Sequence, residues 1–160
     1  MRVAFGHAEG EVMRVYLGSD HAGFELKEQV RDVLRELGHE VIDVGPGSDE
    51  SVDYPDYAER VARAVASGEA PFGVLICGTG LGMAIAANKV PGIRAIQASD
   101  PEMARMARMH NDANIVTLPG RYIGREQAAA VLETFLTTPF EGGRHQRRVD
   151  KIGDLENSGR

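Results

Sequence analysis

The densest chemistry in the sequence is Cys77-Gly78-Thr79-Gly80-Leu81-Gly82. It stands between an apolar run and a short helical pattern, so it reads as a strand–loop–helix turn. Successive amides in a glycine loop can form an anion-binding nest, and a following helix start adds positive potential. The same field favours the thiolate of Cys77. A small buried cysteine beside a tight turn is the plainer explanation, so a chemical role needs partners. Asp20-His21 offers one: Asp20 could simply cap a helix, but His21 is also a donor at a strand end. His110-Asn111-Asp112 ends a helical pattern, where a histidine commonly serves the helix dipole. Gly142-Gly143-Arg144-His145-Gln146-Arg147-Arg148 is a basic turn, and Arg144 and Arg148 are four apart. On a helix their guanidinium groups face one way and could clamp a phosphate.

A thiol, an amide nest, two histidines and paired arginines suit proton transfer beside a carbonyl of a phosphorylated compound. A dinucleotide site competes for the loop, because Gly78, Gly80 and Gly82 are spaced G-x-G-x-G and Asp100 follows about 20 residues on. The third glycine comes one residue early, Pro91 cuts the following helix short, and the motif follows the third strand instead of the first. These features count against it.

Five short apolar runs would position these groups: Arg14–Ser19, His39–Gly45, Phe72–Gly78, Ile93–Ser99 and Asn114–Gly120. Most lack strict alternation, as strands buried on both faces do. Leu26, Val30, Val33, Leu34 and Leu37 form one helical face, with Gly38 as its stop. Ala58, Val61, Ala62 and Val65 form another, with Asp53 and Pro55 as start signals. Ala128, Val131, Leu132, Phe135 and Leu136 form a third, ending before Pro139. Pro101–His110 and Arg147–Glu156 read as further helices. Strands alternating with helices predict a three-layer α/β/α sandwich around a five-stranded parallel, Rossmann-like sheet. In such folds ligands sit beyond the carboxyl ends of the strands. Four strand ends carry unusual chemistry: Ser19-Asp20-His21, Cys77-Gly78-Thr79-Gly80, Ser99-Asp100 and Pro119-Gly120-Arg121.

The 160 residues fit one domain. The charge balance, 18 Lys plus Arg against 24 Asp plus Glu, argues against nucleic-acid or anionic-membrane binding. Ala70–Asn88 is uncharged and long enough to span a bilayer, but its proline and glycines fit a strand, a loop and a short helix better. One cysteine excludes an internal disulfide and suits a reducing cytoplasm, and no dense zinc-ligand spacing is visible. No secretory leader is evident. Glycine, at 19 residues, exceeds the usual share of ~7%, as close backbone approaches or many loops would require.

The chain resembles the ribose-5-phosphate isomerase B group, related to the galactose-6-phosphate isomerase subunits. The likeness rests on GSDHAGFELKE (Gly18–Glu28), VDYPDYA (Val52–Ala58), ICGTGLGMAIAANKVPGIRA (Ile76–Ala95), HNDAN (His110–Asn114) and EGGRHQRRV (Glu141–Val149). It runs from Met13 to about Ile152. Residues 1–12 lie outside it and read as an extension dispensable for folding and turnover, with 13–160 as a single sugar-phosphate isomerase domain. Met1–Gly6 echoes Met13–Gly18, which chance in a short extension explains.

The resemblance implies a metal-independent, cofactor-free interconversion of an aldose phosphate and a ketose phosphate in the pentose phosphate pathway. Cys77 aligns with the base that takes the C2 proton. A second branch of the group uses a Glu where this chain has Met83, so the sequence falls in the cysteine branch. His110 aligns with the residue that opens the furanose ring. Gly78, Thr79, Gly80, Leu81 and Gly82 align with the loop holding the enediolate oxygens. Asp20, His21 and Asn111 align with substrate-binding positions, and Arg144 and Arg148 with phosphate-binding ones. The site is expected to be shared between subunits of a homodimer, often paired into tetramers. Gln97–Glu102 departs from the group's pattern, which leaves secondary contacts open. A hexose 6-phosphate (allose or galactose) is a rival substrate, and a non-catalytic sugar-phosphate-binding module is a rival class. Binding alone needs neither Cys77 nor His110.

Overall fold

The computed structural model describes residues 10–158. Most of the expected N-terminal extension therefore lies outside the described residues, and residues 10–12 are exposed. The chain runs β1 (Arg14–Ser19), α1 (Phe24–Glu36), β2 (Glu40–Asp43), α2 (Tyr54–Ala66), β3 (Phe72–Cys77) and α3 (Leu81–Ala87). It continues through β4 (Ala95–Gln97), α4 (Pro101–Asn111), β5 (Ile115–Pro119), α5 (Arg125–Thr137) and α6 (Arg144–Leu155). The strands form one sheet in the order β2-β1-β3-β5-β4, with every pairing parallel.

Side chains alternate across the sheet and fill two apolar layers. Val15, Leu17, Val74, Ile76, Val116 and Leu118 pack with residues of α1, α4 and α5. Leu75, Cys77 and Ile115 pack with α2 and α3 on the other face. This is the expected three-layer α/β/α, Rossmann-like sandwich. The central strands β3 and β5 are buried along their whole length, as uninterrupted apolar runs require. The edge strands depart from that expectation: β2 has no fully buried residue and β4 has one. Their place in the strand order, which local pattern does not encode, leaves one side open.

Helix boundaries follow the same physics. Asp53 and Pro55 start α2 as expected, and Asp100 caps α4 by accepting the Met103 N–H at 2.9 Å. The last helix begins three residues before the expected Arg147, because Gly142 and Gly143 (φ +69° and +55°) turn the chain into it. Ala70–Asn88 divides into β3, the glycine loop and α3. No helix among the described residues is long and apolar enough to cross a membrane.

One buried charge steadies the β1–α1 side. Lys27 is 1% exposed and donates to Asp43 at 2.7 Å and to Glu28 at 3.0 Å. Arg31 adds a second bond to Asp43, at 2.8 Å. Burial alone would raise the Asp43 carboxyl, but the Lys27 bond, the Gly45 N–H and Arg31 outweigh it and hold it below the ordinary value. A carboxyl depressed in the folded state contributes stability above its unfolded value of ~4 and loses it as pH falls through the folded value. Asp43→Asn leaves Lys27 with only the more exposed Glu28. It should cost roughly 2–3 kcal/mol at neutral pH, with the gap from the unmodified protein closing on acidification. Urea unfolding across pH checks both; an equal gap at low pH would contradict the assignment.

Candidate active site

The strand order places a switch point between β1 and β3. From β1 the chain enters α1 on one face, and from β3 it enters α3 on the other. A crevice therefore opens beyond their carboxyl ends. Asp20 and Cys77 stand at those two ends. The Asp20 N–H donates to the Ile76 carbonyl at 3.1 Å, which ties the β1 loop to β3. Gly23 passes so near that a Cβ there would lie 2.4 Å from the Ile76 oxygen, so only glycine fits. Asp20 does not cap α1, whose N-cap is Gly23; its carboxylate accepts the Gly23 N–H at 2.9 Å. His21 Nδ1 lies 3.2 Å from both the Val52 N–H and the Val52 carbonyl, which fixes the ring against the loop before α2.

Cys77 is the last residue of β3, 5% exposed and free of any disulfide. The Gly80 N–H donates to its Sγ at 3.2 Å, which fixes the sulfur at the mouth of the glycine loop. Gly80 adopts φ +76°, a region that favours glycine, and its carbonyl accepts the Thr117 hydroxyl at 2.6 Å. The Leu81 N–H donates to Thr79 Oγ1 at 3.2 Å. Two of the five loop amides, those of Gly80 and Leu81, are thus engaged inside the loop. The nest expected from Gly78 to Gly82 is correspondingly narrower, with the Gly78, Thr79 and Gly82 amides left to meet an anion. Gln97 Nε2 donates to the Thr79 carbonyl at 3.2 Å and to Ser99 Oγ at 3.0 Å. The segment that departs from the group's pattern therefore braces this loop.

Two neighbours of the loop were not among the expected site residues. The Arg121 guanidinium lies over Gly78, with Nη1 3.3 Å from where a Cβ would stand. Its backbone N–H donates to the Gly78 carbonyl at 3.1 Å. The Tyr54 ring covers Gly82, with Cζ 2.7 Å from the Cβ position. The strand-end sequence Pro119-Gly120-Arg121 is the local signal for the arginine, and Tyr54 falls within VDYPDYA, a stretch of the resemblance with no role attached to it.

The remaining expected residues lie elsewhere. α4 links the carboxyl edge of β4 to the amino edge of β5, so His110 and Asn111 at its end stand at the amino edge. Arg108, 1% exposed, anchors this end. It donates to the Ala113 carbonyl at 2.6 Å, to Asp112 at 3.0 Å and to the Thr138 carbonyl at 3.2 Å. Burial lowers its guanidinium pKa, and Asp112 opposes that shift. The start of α6 packs here too. His145 stacks on His110 with ring centroids 4.2 Å apart and planes 11° apart. Glu141 Oε2 lies 3.4 Å from His145 Nε2 and 4.0 Å from His110 Nε2. Burial and the adjacent His110, Arg144 and Arg148 lower the His145 pKa, against the pull of Glu141. Arg144 and Arg148 are exposed on α6, one helical turn apart.

The expected site residues therefore form two groups at opposite edges of the sheet. Asp20, His21 and Cys77–Gly82 stand at the carboxyl edge; His110, Asn111, Arg144 and Arg148 stand at the amino edge. The five residues of β5 separate the edges by ~16 Å at ~3.3 Å per residue. His110, Glu141 and His145 bring three ligand atoms within 4.8 Å of one another. The packing of α6 on α4 joins residues that sequence spacing keeps apart.

Fold and site define a doubly wound parallel α/β protein with a thiol-bearing glycine loop at its switch point. The model of the Ribose/Galactose Isomerase family matches residues 15–152, and the chain belongs to that family. It is 48% identical over 143 residues to the ribose-5-phosphate isomerase B of Escherichia coli strain K12, covering 89% of this chain and 96% of that protein. The structure of a ribose 5-phosphate isomerase from Thermotoga maritima superposes with a TM-score of 0.87 at 57% identity, covering 89% of this chain and 98% of that one. The type B ribose 5-phosphate isomerase of Trypanosoma brucei gives a TM-score of 0.88 at 49% identity, covering 91% and 99%.

Proposed function

We propose that the protein interconverts ribose 5-phosphate and ribulose 5-phosphate through an enediolate, with Cys77 as the base. The observation that carries this reading is the Cys77 thiol at the switch point, with the Gly80 N–H on its sulfur. The thiolate takes the C2 proton of the open-chain aldose, and the electron pair moves through C1=C2 onto O1. The Gly78, Thr79 and Gly82 amides donate to the two oxygens, where developing negative charge needs fixed donors, and the Asp20 carboxylate accepts from a sugar hydroxyl. A proton passes between O2 and O1, and the thiol returns its proton to C1. One base serves both carbons, so a single thiol suffices. The names of the relatives support this substrate pair.

His110 opens the furanose ring, and Asn111, Arg144 and Arg148 hold the sugar phosphate. Because these groups stand at the other edge of the sheet, the working site combines the carboxyl edge of one chain with the amino edge of a second in a homodimer. A reducing cytoplasm suits a protein that depends on its only thiol.

Turnover of ribose 5-phosphate, allose 6-phosphate and galactose 6-phosphate, measured side by side, tests the substrate. The pentose should lead, and a hexose preference would overturn the reading. His110→Ala tests the division of labour. Ribulose 5-phosphate has no furanose ring, because its O5 is esterified. The variant should therefore still exchange its C1 proton with solvent while net ribose 5-phosphate turnover falls by roughly a hundredfold. Equal, near-total loss of both would contradict the role of His110.

A further inference from the structure

We propose that His110, Glu141 and His145 form a binding site for a divalent cation of the zinc class. Two imidazoles and one carboxylate are a donor set that suits zinc or its neighbours over magnesium or calcium. Their three ligand atoms already lie within 4.8 Å of one another. A tetrahedral zinc ion, with bonds of about 2.0–2.2 Å, needs them about 3.4 Å apart, so a closure of at most about 1.4 Å completes the set. His145 Nε2 and Glu141 Oε2 stand at 3.4 Å, the required spacing.

In-plane lone pairs of two nearly parallel, stacked rings do not converge on one ion, so His110 must turn toward the carboxylate. At 31% exposure it has room, whereas His145 is fixed by burial. The Glu141 backbone is held by its N–H bond to the Met109 carbonyl at 3.1 Å. Arg144 and Arg148 face the same ring and Arg105 faces Glu141, so nearby positive charge tempers the affinity. Three protein ligands leave a fourth position open. A bound ion occupies the His110 nitrogen. On the proposed function, to which this consequence alone belongs, zinc inhibits turnover of the ring-closed substrate.

Cobalt(II) titration, followed by visible absorption, tests the site in full-length Cys77→Ser protein, where no thiolate competes. One ion per chain should bind with a spectrum lacking a thiolate band. Glu141→Gln and His145→Gln should each weaken binding at least tenfold. Should His145→Gln not fold, the exposed Glu141→Gln carries the test alone. Binding unchanged by these substitutions, or none below millimolar cobalt, would overturn the site. Zinc inhibition of the unmodified protein, reversed by a chelator, reads the consequence separately. Binding with the expected variant dependence but without inhibition leaves the site standing and refutes the role of His110.

Discussion

Cys77→Ser should lower ribose 5-phosphate turnover by a factor of about 100 to 10,000, the range that a positioned general base contributes. The fold should survive, because serine nearly matches cysteine in size and the site is one small buried position at a strand end. The loss follows from basicity. A thiolate can take a proton from carbon at one positioned sulfur. A serine hydroxyl offers no comparable base near neutral pH. Because the chain has one cysteine, alkylation reports on this residue alone. Iodoacetamide should inactivate with one label per chain, and ribose 5-phosphate should protect by filling the glycine loop. Cys77 is 5% exposed, so labelling depends on the crevice admitting the reagent. Near-normal turnover in the serine variant would make Cys77 a packing residue and assign the proton to another group.

The parts of this site that sequence alone reveals are those whose chemistry is contiguous. Cys77 through Gly82 carry their turn, their amides and their helix start in six successive residues, so the loop is legible before any fold is known. The continuous apolar runs of β3 and β5 likewise announce central, doubly covered strands. Other features depend on which elements become neighbours. β2 and β4 read like buried strands until the strand order leaves them at the edges. Lys27 occupies the buried face of α1 because Asp43 arrives from β2 to neutralise it. Arg121 reaches the glycine loop only because β5 pairs with β3. His145 reads as a member of a basic turn and Glu141 only as the residue before it, and the docking of α6 against α4 brings both onto His110.

The same dependence on neighbours applies to the two edge groups. Cys77 and His110 are separated by the height of the sheet, so one chain cannot apply both to one sugar. Two copies related by a two-fold axis can, since each then lends its amino edge to the other's carboxyl edge. Complementation reads this directly. Cys77→Ser and His110→Ala proteins, each nearly inactive on ribose 5-phosphate, are mixed in equal amounts, unfolded and refolded together. A hybrid dimer holds one site with both residues intact and one with neither. Random reassociation should therefore restore about a quarter of the unmodified activity, because half of the dimers are hybrids and each has one working site. Activity that stays at the level of the separate variants would contradict a site built from two chains.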